Sequence, residues 1–224
     1  MSPDLRPDLS HVDTWLFDLD NTLYPHECGL GPQVDARMSE IVAELTGLEP
    51  AEADALRQRY LDEHGLTLRG LMLHHGVDPV AFNALFHDLS LERLAADPAL
   101  AAAIARLPGR RLIFTNADDV HASRVVARLG LVGLFDGVFH IASADFVPKP
   151  QAASFARLIE AHAVRAGAAA FFDDRAVNLA PAAALGMTTV LVGAGADTNA
   201  HPFVRHRAPN LAQFLAAALV KEPA

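Results

Sequence analysis

Four acidic residues, one lysine and a few small polar side chains fall where they could hold a cation and a phosphate: Asp18, Asp20, Asn21 and Thr22; then Thr115-Asn116; then Lys149 between two prolines; then Asp173-Asp174. Carboxylates gathered in one place repel, and raise one another's pKa values, unless a cation sits among them. Oxygen-only ligands suit a hard ion such as Mg²⁺. A lysine and a threonine facing that ion would complete a cradle for a phosphate group. The plainer alternative is a set of turns, helix caps and a solvated acidic face.

Whether these groups meet depends on the elements that carry them. Short apolar runs at residues 14–19, 111–115, 137–141, 169–172 and 188–192 read as buried strands, and helix-like stretches separate them. Alternation of this kind predicts βαβ units, and so an α/β fold with a doubly wound, Rossmann-like parallel sheet. Ligands of such sheets bind at the carboxyl ends of the strands, and the acids, the lysine and Thr115 all sit at those ends. Residues 24–109 show helical spacing and no convincing strand, which is too long for a simple crossover. Gly47 and Gly65 close two of its helices, and Asp78-Pro79 and Asp97-Pro98 open two more. The expected organisation is a core of residues 1–23 and 110–224 with a small helical cap, 24–109, inserted after the first strand. Gly29, Gly31 and Gly109 are candidate hinges for that cap. Gly193, Ala194 and Gly195 are expected to turn the chain after the last run, and Pro181 fits its helix only near the first turn.

Composition narrows the partners. The 224-residue chain has 18 Lys plus Arg against 27 Asp plus Glu, a net charge of -9, with no basic cluster to follow a nucleic-acid backbone. A nucleic-acid polymer is therefore not expected, whereas a small phosphorylated ligand needs only one or two local cations and a metal. The single cysteine, Cys28, excludes an internal disulfide framework and reads as a packed small hydrophobe. No apolar run reaches the roughly 18 residues of a membrane span, and residues 1–11 have no apolar core, so a soluble, cytoplasmic protein is expected. His74 and His75 are adjacent on a helix and point in different directions, which makes a shared ion improbable. Oligomeric state is not legible.

The four segments DLDNTLY at 18–24, FTN at 114–116, PKP at 148–150 and FFDD at 171–174 together resemble the haloacid dehalogenase-like hydrolase superfamily. Their order, spacing and strand-end placement agree with it, and the insert looks like its smaller, helical type of cap. The resemblance implies a Mg²⁺-dependent phosphomonoesterase. Asp18 would be the nucleophile that forms an aspartyl-phosphate, and Asp20 the acid and then base, with its backbone carbonyl offered to the metal. Thr115 and the Asn116 backbone would hold phosphoryl oxygens, Lys149 would neutralise developing charge, and Thr22 would buttress the loop. Asp173 would bind the metal directly, and Asp174 directly or through water.

Within the superfamily, DLDNTLYP at 18–25 with Tyr60, Gly65-Leu66 and Arg69-Gly70-Leu71 looks like the pyrimidine 5′-nucleotidase group, which implies UMP and CMP as substrates. Arg69 would then reach the nucleotide, and Tyr24 and Glu27 would line the cap entrance. The rivals are a phosphatase of another small metabolite such as a sugar phosphate, pyridoxal phosphate or phosphoglycolate, a mutase, a 2-haloacid dehalogenase, and a phosphoaccepting signalling module. Asp20 argues against the dehalogenase, because displacing halide from carbon needs no proton donor. A receiver module would span about half this length and carry its phosphoacceptor after a later strand.

Overall fold

Large apolar side chains on both sides of short extended runs build the sheet. The computed structural model describes residues 6–86, 89–193 and 200–221. Within them, β1 (Thr14–Phe17), β2 (Arg110–Phe114), β3 (Gly137–Phe139), β4 (Ala169–Asp173), β5 (Thr188–Val192) and β6 (His206–Ala208) form one parallel sheet in the order β3-β2-β1-β4-β5-β6. The helices are α1 (Leu30–Thr46), α2 (Pro50–His64), α3 (Thr67–His75), α4 (Pro79–Ala84), α5 (Pro98–Ala105), α6 (Asp119–Arg128), α7 (Ala152–His162), α8 (Ala176–Ala184) and α9 (Leu211–Ala217).

Side chains alternate between the two faces of a strand, so a strand apolar at every position needs cover on both. Trp15 and Phe17 pack with Ile113, Ala170, Phe172 and Val190 under α5, α6 and α9. Leu16 packs on the other face with Leu112, Phe114, Phe171 and Leu191, under α7 and α8. Trp15 is fully buried, stacks on Phe172 with ring centroids 6.3 Å apart, and donates its indole N–H to the Pro108 carbonyl at 2.7 Å. This is the doubly wound, Rossmann-like α/β architecture that the apolar runs imply.

β6 is an addition to it. Its sequence, His-Arg-Ala, has no apolar run, and it joins the sheet through backbone pairing with β5 alone. The helical insert also has different packing limits from those expected. Helices α1 to α4 share a core of their own, built on Ile41, Val42, Leu56, Tyr60, Leu68, Leu71, Phe82 and Phe86. By contrast α5, expected inside the insert, buries Leu100, Ala103 and Ile104 in the cluster that holds Trp15 and Phe17. Pro181 lies in the interior of α8 rather than in its first turn. Its missing N–H leaves the Val177 carbonyl without a helical donor, at a residue 48% exposed. The turn expected at 193–195 runs into residues outside the described ones.

The candidate hinges differ in kind. Gly31 has open space around it, and Gly29 caps α1 with φ 75°. Gly109 is wedged: its φ is 77°, and a Cβ there would stand 2.1 Å from the Asp13 carbonyl oxygen. Only glycine tolerates both the left-handed backbone and this approach, so Gly109 is a packed junction between the insert and β2 rather than a free hinge. Gly109→Ala is expected to lower the unfolding free energy by about 2 kcal/mol or more. Urea denaturation checks this, and an unchanged midpoint would refute it.

Candidate active site

The sheet order reverses between β1 and β4, since the chain leaves β1 toward β2 and leaves β4 toward β5. A crevice therefore opens at the carboxyl ends of these two strands. Asp18 follows β1 directly, its N–H bonded to the Phe172 carbonyl at 2.8 Å, and Asp173 ends β4. Between them stands Lys149, 1% exposed, whose Nζ donates to Asp18 Oδ1 at 2.7 Å, Asp173 Oδ2 at 2.8 Å and the Phe114 carbonyl at 2.8 Å. The ammonium also lies 5.1 Å and 5.3 Å from the ring centroids of Phe114 and Phe171. Three acceptors and two aromatic faces account for a lysine held charged in a dry place. Burial pulls its pKa down, but Asp173 and Asp18 outweigh that and raise it.

The lysine is positioned from β2. Asn116 exchanges two side-chain bonds with the backbone of Lys149, its Nδ2 donating to the carbonyl at 3.2 Å and its Oδ1 accepting the N–H at 2.9 Å. Thr115, next to it, is buried and accepts the Ala117 N–H at 3.0 Å, which leaves its own hydroxyl proton for an anion. Thr22 donates to Asp18 Oδ2 at 3.3 Å. The cap touches this loop too: Gly65, with φ 76°, lies where a Cβ would be 3.5 Å from Pro148 and 3.7 Å from the Lys149 carbonyl. Gly70 is constrained by space instead, since a Cβ would meet the Tyr60 ring at 2.3 Å. Of the subgroup-like residues, Tyr60 and Gly70 thus serve close packing, and Gly65 the left-handed end of α2.

Asp18, Asp173 and Asp174 each offer a carboxylate oxygen within 4.8 Å of the others, the only such group of three among the described residues. Burial, and then the charge of Asp173, push the Asp174 carboxyl up to about 6. Burial, outweighing Lys149 and reinforced by the two neighbouring acids, pushes Asp18 well above the usual carboxylate range. Three carboxylates, two of them buried and Asp174 half-buried, facing one ammonium are short of positive charge, so a hard divalent cation fits this donor set. Asp173 is the most heavily engaged of them. Its Oδ1 accepts the Arg175 backbone N–H and Asn178 Nδ2, both at 2.9 Å, while its Oδ2 accepts Lys149 and, at 3.1 Å, Asn178 again.

Asp20 stands apart from that group. Its Oδ1 accepts the Tyr24 hydroxyl at 2.5 Å and His121 Nε2 at 2.8 Å. Burial alone would raise its pKa, but the imidazole of His121 and these bonds hold it below the usual value. His121 is raised in turn, Asp20 outweighing the effect of burial. Neither His121 nor Asn178 was legible as a site residue. Each sits on a helix beyond the acid it serves, and His121 lies 101 positions from Asp20.

Two cavities flank the loop that follows β1. One, of about 430 Å³, lies between cap and core and is lined by Asp20, Tyr24, Asn83, Asn116 and His121 together with apolar Val34, Met38, Leu66, Leu68, Phe82 and Phe86. The other, of about 450 Å³, is lined by Tyr24, Glu27, Asp97, Asp174 and Asn210 among others. Tyr24 therefore borders both and Glu27 only the second, while Arg69, half-buried on α3, lines neither. His74 and His75 take different partners, His64 at 3.3 Å and the Tyr60 hydroxyl at 2.9 Å. Cys28 packs half-buried against the sheet core.

A family model described as haloacid dehalogenase-like hydrolase matches residues 12–186. The Saccharomyces cerevisiae "Phosphate metabolism protein 8" is 29% identical over 193 residues, 79% of this chain and 60% of that protein, so this chain spans about three fifths of its relative. A phosphatase of the same fold family from Thermococcus onnurineus superposes with a TM-score of 0.62 at 17% identity, covering 89% of this chain and 94% of that one. A dehalogenase structure with an intermediate complex gives 0.62 at 18%, covering 93% and 98%. These two likenesses carry the fold. No helix among the described residues is long and apolar enough to cross a membrane.

Proposed function

The chain belongs to the haloacid dehalogenase-like hydrolase family, and from that premise we propose that it is a metal-dependent phosphomonoesterase of a small phosphorylated metabolite, a pyrimidine nucleoside 5′-monophosphate such as UMP or CMP. The observation that carries this reading is the second carboxylate, Asp20, held by two donors at the edge of the cap cavity. An alkoxide leaving group needs a proton donor there, and a halide does not. Supporting the nucleoside, the cavity falls within the roughly 300–1,000 Å³ usual for small-molecule sites. Its apolar walls, with the amides of Asn83 and Asn116, suit a flat base.

Asp18 attacks phosphorus and carries the phosphoryl group as an aspartyl-phosphate. Lys149, bonded to Asp18 and Asp173, stabilises the charge that builds there, and Thr115 and the Asn116 backbone hold the phosphoryl oxygens. Asp18 and Asp173 would hold Mg²⁺ directly with the Asp20 backbone carbonyl, and Asp174 directly or through water, while Lys149 and Asn178 keep Asp173 oriented. When bound, the metal offsets the repulsion between a carboxylate nucleophile and a phosphate dianion.

The test is phosphate release with Mg²⁺ from UMP, CMP, AMP, GMP, sugar phosphates and pyridoxal phosphate. UMP and CMP are expected to lead in kcat/KM by about tenfold or more, the scale that pocket contacts supply. Dialysis against EDTA should abolish turnover and Mg²⁺ restore it. Equal turnover of all esters would remove the nucleotide assignment and keep the phosphatase. Chloride release from 2-chloropropionate without any divalent ion would replace the phosphatase with a dehalogenase.

A further inference from the structure

Asp20 receives both of its side-chain donors on one oxygen. The Tyr24 hydroxyl reaches Oδ1 at 2.5 Å from the loop after β1, and His121 Nε2 reaches the same atom at 2.8 Å from α6. Both oxygens of an ionised carboxylate only accept, and so does Oδ1 of a carboxyl protonated on Oδ2, so in either state both partners donate and the imidazole proton is assigned to Nε2. The helix that brings His121 is itself fixed, since Asp118 caps α6 by accepting the His121 backbone N–H at 2.8 Å. The ring is 8% exposed, lines the cap cavity beside Asp20, and has no bond to Asp18 or Lys149 among those of the described residues. The site residue that its ring meets is Asp20.

We infer that His121 is a positioning residue for Asp20: with Tyr24 it occupies Oδ1, so that Oδ2 delivers the proton to the leaving oxygen. This rests on the phosphomonoesterase reading. A proton on Oδ1 would face two donor hydrogens, whereas Oδ2 is clear of them. As the bond from phosphorus to the leaving oxygen breaks and the bond from Asp18 to phosphorus forms, the Oδ2 proton passes to that oxygen. Asp20 becomes a carboxylate whose charge the two donors on Oδ1 stabilise. In the second half-reaction Oδ2 takes a proton from water as the water oxygen bonds phosphorus, and Asp18 is released.

The experiment compares kcat/KM, which covers only steps through departure of the leaving group, for an alkyl phosphate and for p-nitrophenyl phosphate, whose leaving group departs without a proton. His121→Ala is expected to cost about 100-fold on the alkyl ester, the scale of general-acid catalysis, and under about threefold on the aryl ester. His121→Gln, which keeps an N–H donor, should recover most of the alkyl activity. Equal losses on both esters, or none on the alkyl ester, would overturn the inference. A second arm needs no turnover: the ¹⁵N resonance of His121 Nε2 should move in Asp20→Asn, and an unmoved resonance overturns the contact. If the wild-type protein hydrolyses neither ester, the phosphatase reading falls and takes the proton-delivery step with it. The resonance then decides whether His121 still orients Asp20.

Discussion

Asp18→Asn is expected to lose phosphate release by about 10⁴-fold or more, the scale at which removing a nucleophile acts, and yet to melt higher than the wild type in EDTA. The loss follows from the amide's inability to attack phosphorus. The gain follows from the charge inventory. Asp18, Asp173 and Asp174 crowd one lysine, and burial, outweighing Lys149 and reinforced by the other two acids, raises the Asp18 pKa in the folded state. A carboxyl raised on folding favours the native state fully only below its unfolded value. As pH climbs from there toward the folded value, that contribution is lost, so above its unfolded value Asp18 is a liability to the fold. Each kcal/mol regained should appear as roughly 2–4 °C in Tm for a chain of this size. Saturating Mg²⁺ should shrink or reverse the difference, because the wild type alone keeps the full donor set. A variant that melts lower than wild type in EDTA would show that the Asp18–Lys149 bond outweighs the crowding.

Lys149→Met is the second large effect, and it falls on the fold as well as on activity. Methionine nearly matches the lysine stem in volume, so the apolar contacts with Phe114 and Phe171 survive while the charge vanishes. Asp18 Oδ1, Asp173 Oδ2 and the Phe114 carbonyl then lose a donor together. Breaking a buried ion pair from one side costs about 3–5 kcal/mol, and here two acids are stranded. The variant should regain more stability on acidification than the wild type does, because without the ammonium the stranded carboxyls are pushed further up and gain more on protonation. Lys149→Arg should not rescue activity, because a planar guanidinium cannot place one compact charge between two rings. Adding Asp18→Asn to Lys149→Met should recover part of the loss, since only one stranded acid then remains. Denaturant midpoints for the four proteins decide this, and strict additivity would mean the two side chains are not coupled.

The parts of this molecule that were legible in the chain are those written locally. Gly47 and Gly65 end α1 and α2 with φ of 70° and 76°, because the left-handed residue after a helix is cheapest as glycine. Asp78 and Asp97 do cap α4 and α5 through their side chains. Five strands were visible as apolar runs, whereas β6 was not, because an edge strand needs only backbone pairing with its single neighbour. The caps marked where α5 begins but not what it packs against, which is set by α9 and the sheet core. The same holds at the site. Strand-end acids announce themselves, but His121 and Asn178 become partners of Asp20 and Asp173 only once α6 and α8 lie back on the sheet.

The placement of the three strongest chromophores gives the molecule an internal readout. The chain has one tryptophan and two tyrosines, and each belongs to a different part: Trp15 to the sheet core, Tyr60 to the cap core and Tyr24 to the loop that bears Asp20. Trp15 lies against Phe172, far from water, so its emission colour follows the dissolution of the sheet. The phenol of Tyr60 is bonded to His75 within the cap, so its near-ultraviolet signal follows the helices instead. One unlabelled sample can therefore show whether the cap helices melt before the open sheet beneath them loosens, and whether substrate holds the two together.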